Sequence, residues 1–281
     1  MPTVLPVAPA RPRPGLFEAT LLTVGYAVAM FGTILAIFFV AWFALDAGGA
    51  THPPADGNPS SLSSFHPTLV KVLAVSFPLG YLAGGLYALI VLRLVVKRGW
   101  AREIGLRRLP LAHLGFGVLA LPAFVILSDG LAPVLYRLFG MERMLEQSGQ
   151  LGELFHGFHP AFVLFAVGIA PGVVEELWCR GFLGRGLVGR YGWVAGVVLS
   201  SAFFGLLHLW PPPYVILTAV MGACLHFAYA CSRSLWVPIF IHAANNGFAG
   251  LAAVGAVPTG GMDRALAAWP VLVYGLAIVV L

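Results

Sequence analysis

Charge is what this chain has least of. Only 10% of its 281 residues are Asp, Glu, Lys or Arg, against 59% hydrophobic side chains and a mean hydropathy of +0.91. A soluble globular domain carries roughly 25% charged residues, so that class is excluded and a polytopic membrane protein is implied. Cysteine is scarce as well. Cys179, Cys224 and Cys231 are odd in number, lack the paired spacing of a metal knuckle and sit in apolar segments, where they read as small buried hydrophobes. There is no Gly-x-Ser-x-Gly stretch for a serine nucleophile and no His-Glu-x-x-His helix for a zinc protease. No aspartate dyad is available either: Asp129, between Ser128 and Gly130, reads as a helix-end residue. The net charge of +5 comes mostly from arginines between apolar blocks, not from a lysine-rich or aromatic-interleaved surface. No nucleic-acid partner is therefore expected.

What is there is apolar sequence in long blocks. Turn signals cut it into about eight segments, at 16–45, 67–96, 111–139, 160–187, 193–210, 213–231, 235–256 and 265–281. Each is near the ~20 residues a helix needs to cross the bilayer. The expected fold is all-α, with about eight transmembrane helices enclosing a polar cavity inside the membrane. Residues 1–15 form an N-terminal tail, 16–139 three spans, 140–159 an interfacial segment, 160–256 a functional core and 265–281 a last span. The first apolar block is too long for a signal-peptide core and has no small-residue cleavage site, so it is expected to stay attached. Twelve of the sixteen Lys and Arg fall on one side of this topology, the exceptions being Lys71, Arg137, Arg143 and Arg264. The positive-inside rule then puts both termini in the cytoplasm.

The few polar residues inside the spans carry the functional argument, because each ionisable group at a helix centre costs roughly 2.5–3.5 kcal/mol on insertion scales. Glu175 and Glu176 end the apolar run 162–174, and Arg180 follows one turn later. Glu176 and Arg180, four apart, are placed to form an ion pair. Glu175 points about 100° away with no partner in its own helix, which suits a general acid or base. The next span carries Phe204 and, one turn on, His208. The seventh carries His242 and Asn246 side by side at i and i+4, two donors that could link helices or stabilise a developing oxyanion. Asn245 points elsewhere, and His226 reads as an interior histidine.

In that order on successive helices, Glu175-Glu176 with Arg180, Phe204 with His208, and His242 with Asn246 resemble the motifs of the CPBP intramembrane proteases, which include the CAAX prenyl endopeptidases and the bacterial Abi-like proteins. The resemblance covers about 161–250. It implies an intramembrane endopeptidase in which Glu175 and His208 activate a water, His242 and Asn246 hold the tetrahedral oxyanion, and Glu176, Arg180 and Phe204 support the site.

No cofactor is expected on this reading. A zinc held by Glu175, His208 and His242 is the metal alternative, and Asn246 beside them is a poor zinc ligand but a good oxyanion donor. A different class of reading is a transporter or immunity-type membrane protein that uses the same buried charges without hydrolysis; broken helices and an internal repeat would favour it, and apart from Pro78 and Pro122 the sequence offers neither. The expected partners are the lipid bilayer and a membrane-anchored protein or peptide substrate. High Ala, Gly, Val, Arg and Pro usage points to a bacterial cytoplasmic membrane, where C-terminal sorting signals or membrane-protein tails would be cleaved.

Overall fold

The computed structural model describes residues 14–47, 62, 65–97, 99–106, 111–146, 150–209 and 211–257. Among them every regular element is helical. The long elements are α1 (Leu16–Ala47), α2 (Pro67–Val96), α4 (Leu111–Leu138), α7 (Pro160–Tyr191), α8 (Trp193–Leu206), α9 (Pro212–Ser232) and α10 (Trp236–Ala253). Short helices α3 (Trp100–Glu103), α5 (Glu142–Glu146) and α6 (Gln150–Leu154) lie in the connections.

These helices correspond to seven of the eight segments expected from hydropathy. The eighth, 265–281, lies outside the described residues. Among the described residues five helices, α1, α2, α4, α7 and α9, are long and apolar enough to cross a membrane. With 14 residues, α8 is too short to span the hydrocarbon alone at about 1.5 Å per residue. The polar stretch 140–159 holds only the two short helices α5 and α6.

Side-chain pattern explains the arrangement. On α2, Leu82, Leu86, Ile90 and Leu94 recur at four-residue spacing and are 54–71% exposed, whereas Gly80, Gly84, Gly85 and Ala88 on the opposite face are buried. An apolar stripe turned outward on a helix this long is a lipid-facing stripe. The small inner face lets α1 lie close: a Cβ on Gly84 would stand 3.2 Å from the Tyr26 ring. The centre of the core is Trp178 of α7, fully buried, stacked on Tyr26 with ring centroids 4.8 Å apart and packed against Phe182 at 4.9 Å. Thus α1 is fastened to the helix that carries the two glutamates.

Candidate active site

α7 opens at Pro160, whose missing N–H costs nothing at a first turn, and the His159 ring Nδ1 accepts the Ala161 N–H at 3.2 Å. The helix then runs unbroken past Glu175, widening to π-type geometry over Leu164–Ile169 and again over Leu177–Gly184, directly after the glutamate pair. Such widening is rare and concentrates at functional sites. Small residues bring α10 against it. A Cβ on Gly172 would lie 2.8–2.9 Å from the N, Cα and Cβ of Ala243, and one on Gly168 would lie 2.8 Å from the Ala243 carbonyl oxygen. The two backbones therefore touch, as small-residue stripes allow in membrane bundles. One turn beyond this contact, His242 meets Glu175 and Glu176. Gly172→Leu is expected to wedge α7 from α10 and abolish activity together with most of the folded protein, measured as the monodisperse fraction recovered in detergent.

Glu176 is fully buried and its Oε1 accepts two charge-assisted hydrogen bonds, from Arg180 Nη1 at 2.6 Å and from His242 Nδ1 at 2.8 Å. Arg180, itself buried, donates its Nη2–H to the Gly222 carbonyl of α9 at 2.8 Å and lies over the Phe204 ring of α8, 4.5 Å from the centroid. One ion pair thus ties α7 to α8, α9 and α10. Because a carboxylate can only accept, the His242 proton sits on Nδ1, and Nε2 is turned to Glu175, 3.9 Å from Oε2.

Glu175 is 6% exposed and takes a different set of neighbours. The Tyr81 hydroxyl of α2 donates to its Oε1 at 2.8 Å, while Oε2 has no hydrogen-bond partner among the described residues. A pocket of about 180 Å³ opens beside it, lined by Glu175, His208, Tyr26, Tyr81 and four apolar residues. Given that a water occupies roughly 30 Å³ in the liquid, the pocket has room for a few waters or for a peptide group. His208, half-buried, gives its Nδ1 to the Phe204 carbonyl oxygen at 2.8 Å, which leaves Nε2 for the pocket side. The Phe204 ring stands edge-on to both histidines, with centroids 4.9 Å from His208 and 5.7 Å from His242. Asn246 is half-buried one turn beyond His242, and its Oδ1 accepts from Asn245 Nδ2 at 3.3 Å, so its own amide N–H groups stay available.

Six of the seven residues singled out from sequence, Glu175, Glu176, Arg180, Phe204, His208 and His242, are linked around this centre, while Asn246 is bonded to Asn245 one turn further along α10, and the pairing is richer than the local spacing indicates. Glu176 holds His242 as well as Arg180, and His242 engages the two glutamates rather than standing only beside Asn246. Two residues escaped the sequence reading, Tyr81 and Tyr26. Their only sequence signal is a phenol in an otherwise apolar helix; the Tyr26 hydroxyl, buried without a partner, lines the pocket. Depth was also open from sequence, since Glu175 and His208 sit at different places in their helices. The uninterrupted course of α7 to Tyr191 and the early end of α8 put both on one pocket. Among the described residues no three His, Cys, Asp or Glu side chains converge as a metal-holding group. His208 and His242 each engage a neighbour through Nδ1 and keep Nε2 uncommitted, the arrangement a metal-ligating histidine also uses.

Comparison with known proteins agrees with this geometry. A family model described as type II CAAX prenyl endopeptidase Rce1-like matches residues 157–248, the stretch from the start of α7 to within α10 that holds every charged side chain of the site. A curated protein of Bacillus subtilis (strain 168), "Putative membrane peptidase YdiL", is 27% identical over 175 residues, covering 60% of this chain and 68% of that protein. No solved structure gives a significant match. Three polar motifs in the same order, on helices packed so that their side chains meet, fall within that match, and over residues 157–248 the chain is similar to the Rce1-like type II CAAX prenyl endopeptidases.

Proposed function

We propose that the chain is an intramembrane endopeptidase in which Glu175, with His208, activates a water for attack on a peptide carbonyl. The observation that carries this is the Glu175 carboxylate itself: one oxygen held by Tyr81, the other unpartnered beside a pocket shared with His208. The unpartnered Oε2 takes the water's proton, and His208 Nε2 holds the water or passes a proton to the leaving amine. The Asn246 amide, with His242 when its Nε2 carries a proton, supplies donors where the tetrahedral oxyanion forms. Glu176 and Arg180 fix His242 in place. No metal takes part in any of these steps.

Burial of the site among helices selects a substrate that enters from the lipid or carries an apolar tail. A membrane-anchored protein cut near its terminus fits, as does a prenylated peptide of the kind the family's name describes. Orientation with the arginine-rich end of the bundle toward the cytoplasm is part of the same proposal. The test is a mass-spectrometric comparison of membrane and secreted protein termini in cells carrying the native chain or Glu175→Ala at equal abundance. Uncut precursors confined to the variant are expected; indistinguishable termini would refute the protease reading.

Tyr81 acts as a positioning residue. A hydrogen bond to a charged group contributes about 1.5–3 kcal/mol. Tyr81→Phe is therefore expected to lower kcat about tenfold or more on a reporter peptide, with KM nearly unchanged. An equal loss after Tyr87→Phe, a phenol off the pocket, would reduce Tyr81 to packing.

A further inference from the structure

Three helices end and four begin at the end of the bundle that carries most of the arginines: α2, α7 and α9 end there, and α1, α4, α8 and α10 start there. Tyr191, Trp193 and Trp236, at those helix ends, are 40–47% exposed. Aromatic rings at span ends mark the level of the lipid headgroups. At this level α3 and the loop after it are fastened to the α9–α10 junction. The Tyr229 hydroxyl donates to the Ile104 carbonyl at 3.1 Å, the Leu235 N–H to the Gly105 carbonyl at 3.2 Å, and Arg185 to Glu103 at 3.3 Å.

Between these contacts lies a recess of about 230 Å³, lined by Arg102, Glu103, Gly105, Tyr229, Ala230 and Arg233. Its acidic member is engaged by Arg185 and its phenol by Ile104. Arg102 and Arg233 are both exposed and have no ion-pair partner among the described residues. The Arg233 backbone is held in the left-handed region, φ 51° and ψ 28°, a conformation a non-glycine residue adopts only under constraint. The constraint is visible: the Ser232 hydroxyl donates to the Ala228 carbonyl at 2.7 Å and accepts the Ser234 N–H at 3.3 Å. A Cβ on Gly105, at φ +77°, would stand 3.0 Å from the Arg233 carbonyl oxygen, so the two walls fit closely. Two guanidinium forks on a fixed frame, at headgroup depth, in a recess whose one carboxylate, Glu103, is paired with Arg185, match the oxygens of a phosphodiester.

We propose that this recess is a binding site for the phosphodiester headgroup of an anionic phospholipid, held by Arg102 and Arg233. It is separate from the glutamate–histidine centre and does not depend on the protease reading.

The test is native mass spectrometry of the full chain in detergent, titrated with phosphatidylglycerol or phosphatidylcholine of identical acyl chains. Retention of phosphatidylglycerol is expected to exceed that of phosphatidylcholine. The preference should fall about tenfold in Arg102→Gln/Arg233→Gln, on the scale of interfacial basic residues, and by part of that in Arg102→Gln alone. Lys71→Gln/Arg137→Gln, at the other end of the bundle, should leave it unchanged. An unchanged preference in the recess variants, or an equal fall in the distant pair, overturns the proposal. Displacement of phosphatidylglycerol by millimolar inorganic phosphate at constant ionic strength also overturns it, making the recess a free-phosphate site.

Discussion

Glu175→Gln is expected to lower peptide hydrolysis by about 10²–10⁴-fold, the range a positioned general base supplies. The substitution keeps the size of the side chain and lets its amide oxygen still accept from Tyr81, so the midpoint of thermal unfolding should stay near that of the native chain. What disappears is the basicity of Oε2, the oxygen left without a partner beside the pocket. The reading is single-turnover cleavage of a peptide drawn from precursors that accumulate in cells carrying an inactive chain. Removal of an oxyanion donor, as in Asn246→Ala, should cost about 10²–10³-fold instead. Near-native cleavage by folded Glu175→Gln would move the base to another group. His242 is then the obvious one, because Glu176 holds the proton on Nδ1 and leaves Nε2 facing inward at 3.9 Å from Glu175.

Arg180→Met is expected to cost about 3–5 kcal/mol of stability, the penalty for breaking a buried ion pair and leaving one charge behind. Three partners lose their contact at once: Glu176 at 2.6 Å, the Gly222 carbonyl at 2.8 Å and the Phe204 ring at 4.5 Å. Methionine replaces the volume but none of the donors. Arg185→Met provides the comparison, since its pair with Glu103 at 3.3 Å is 27% and 48% exposed, and exposed pairs contribute only about 0–1 kcal/mol. Unfolding midpoints in one detergent measure the difference. Adding Glu176→Gln to Arg180→Met should recover part of the loss, because the double variant leaves no buried unpaired charge. If Arg180→Met unfolds no earlier than Arg185→Met, Glu176 does not need its arginine and the linchpin role assigned to this pair is wrong.

Hydropathy and spacing made much of the architecture legible. Apolar runs bounded by Gly, Pro and basic residues mark α1, α2, α4, α7, α8, α9 and α10 to within about four residues at each end, since a chain in lipid must satisfy its backbone within each helix and has few alternatives. The cost of burying charge singled out Glu175, Glu176 and Arg180, and helical geometry paired Glu176 with Arg180 and aligned His242 with Asn246. These are local rules, and the sequence by itself determined what they govern: an all-helical membrane chain, with its polar residues gathered on three helices.

The tertiary structure alone decided which partners those residues have on other helices. The bond from His242 to Glu176 joins residues 66 apart and that from Tyr81 to Glu175 joins residues 94 apart, so no periodicity encodes either. They arise because Gly172 and Ala243 let two backbones touch, and because Tyr26 stacked on Trp178 binds the N-terminal hairpin to α7. Close approach depends on the shapes of both surfaces together. Spacing separated Glu175 from the Glu176–Arg180 pair, but the histidine that also locks Glu176 and the tyrosine that holds Glu175 at the edge of a pocket became visible only once the helices were packed.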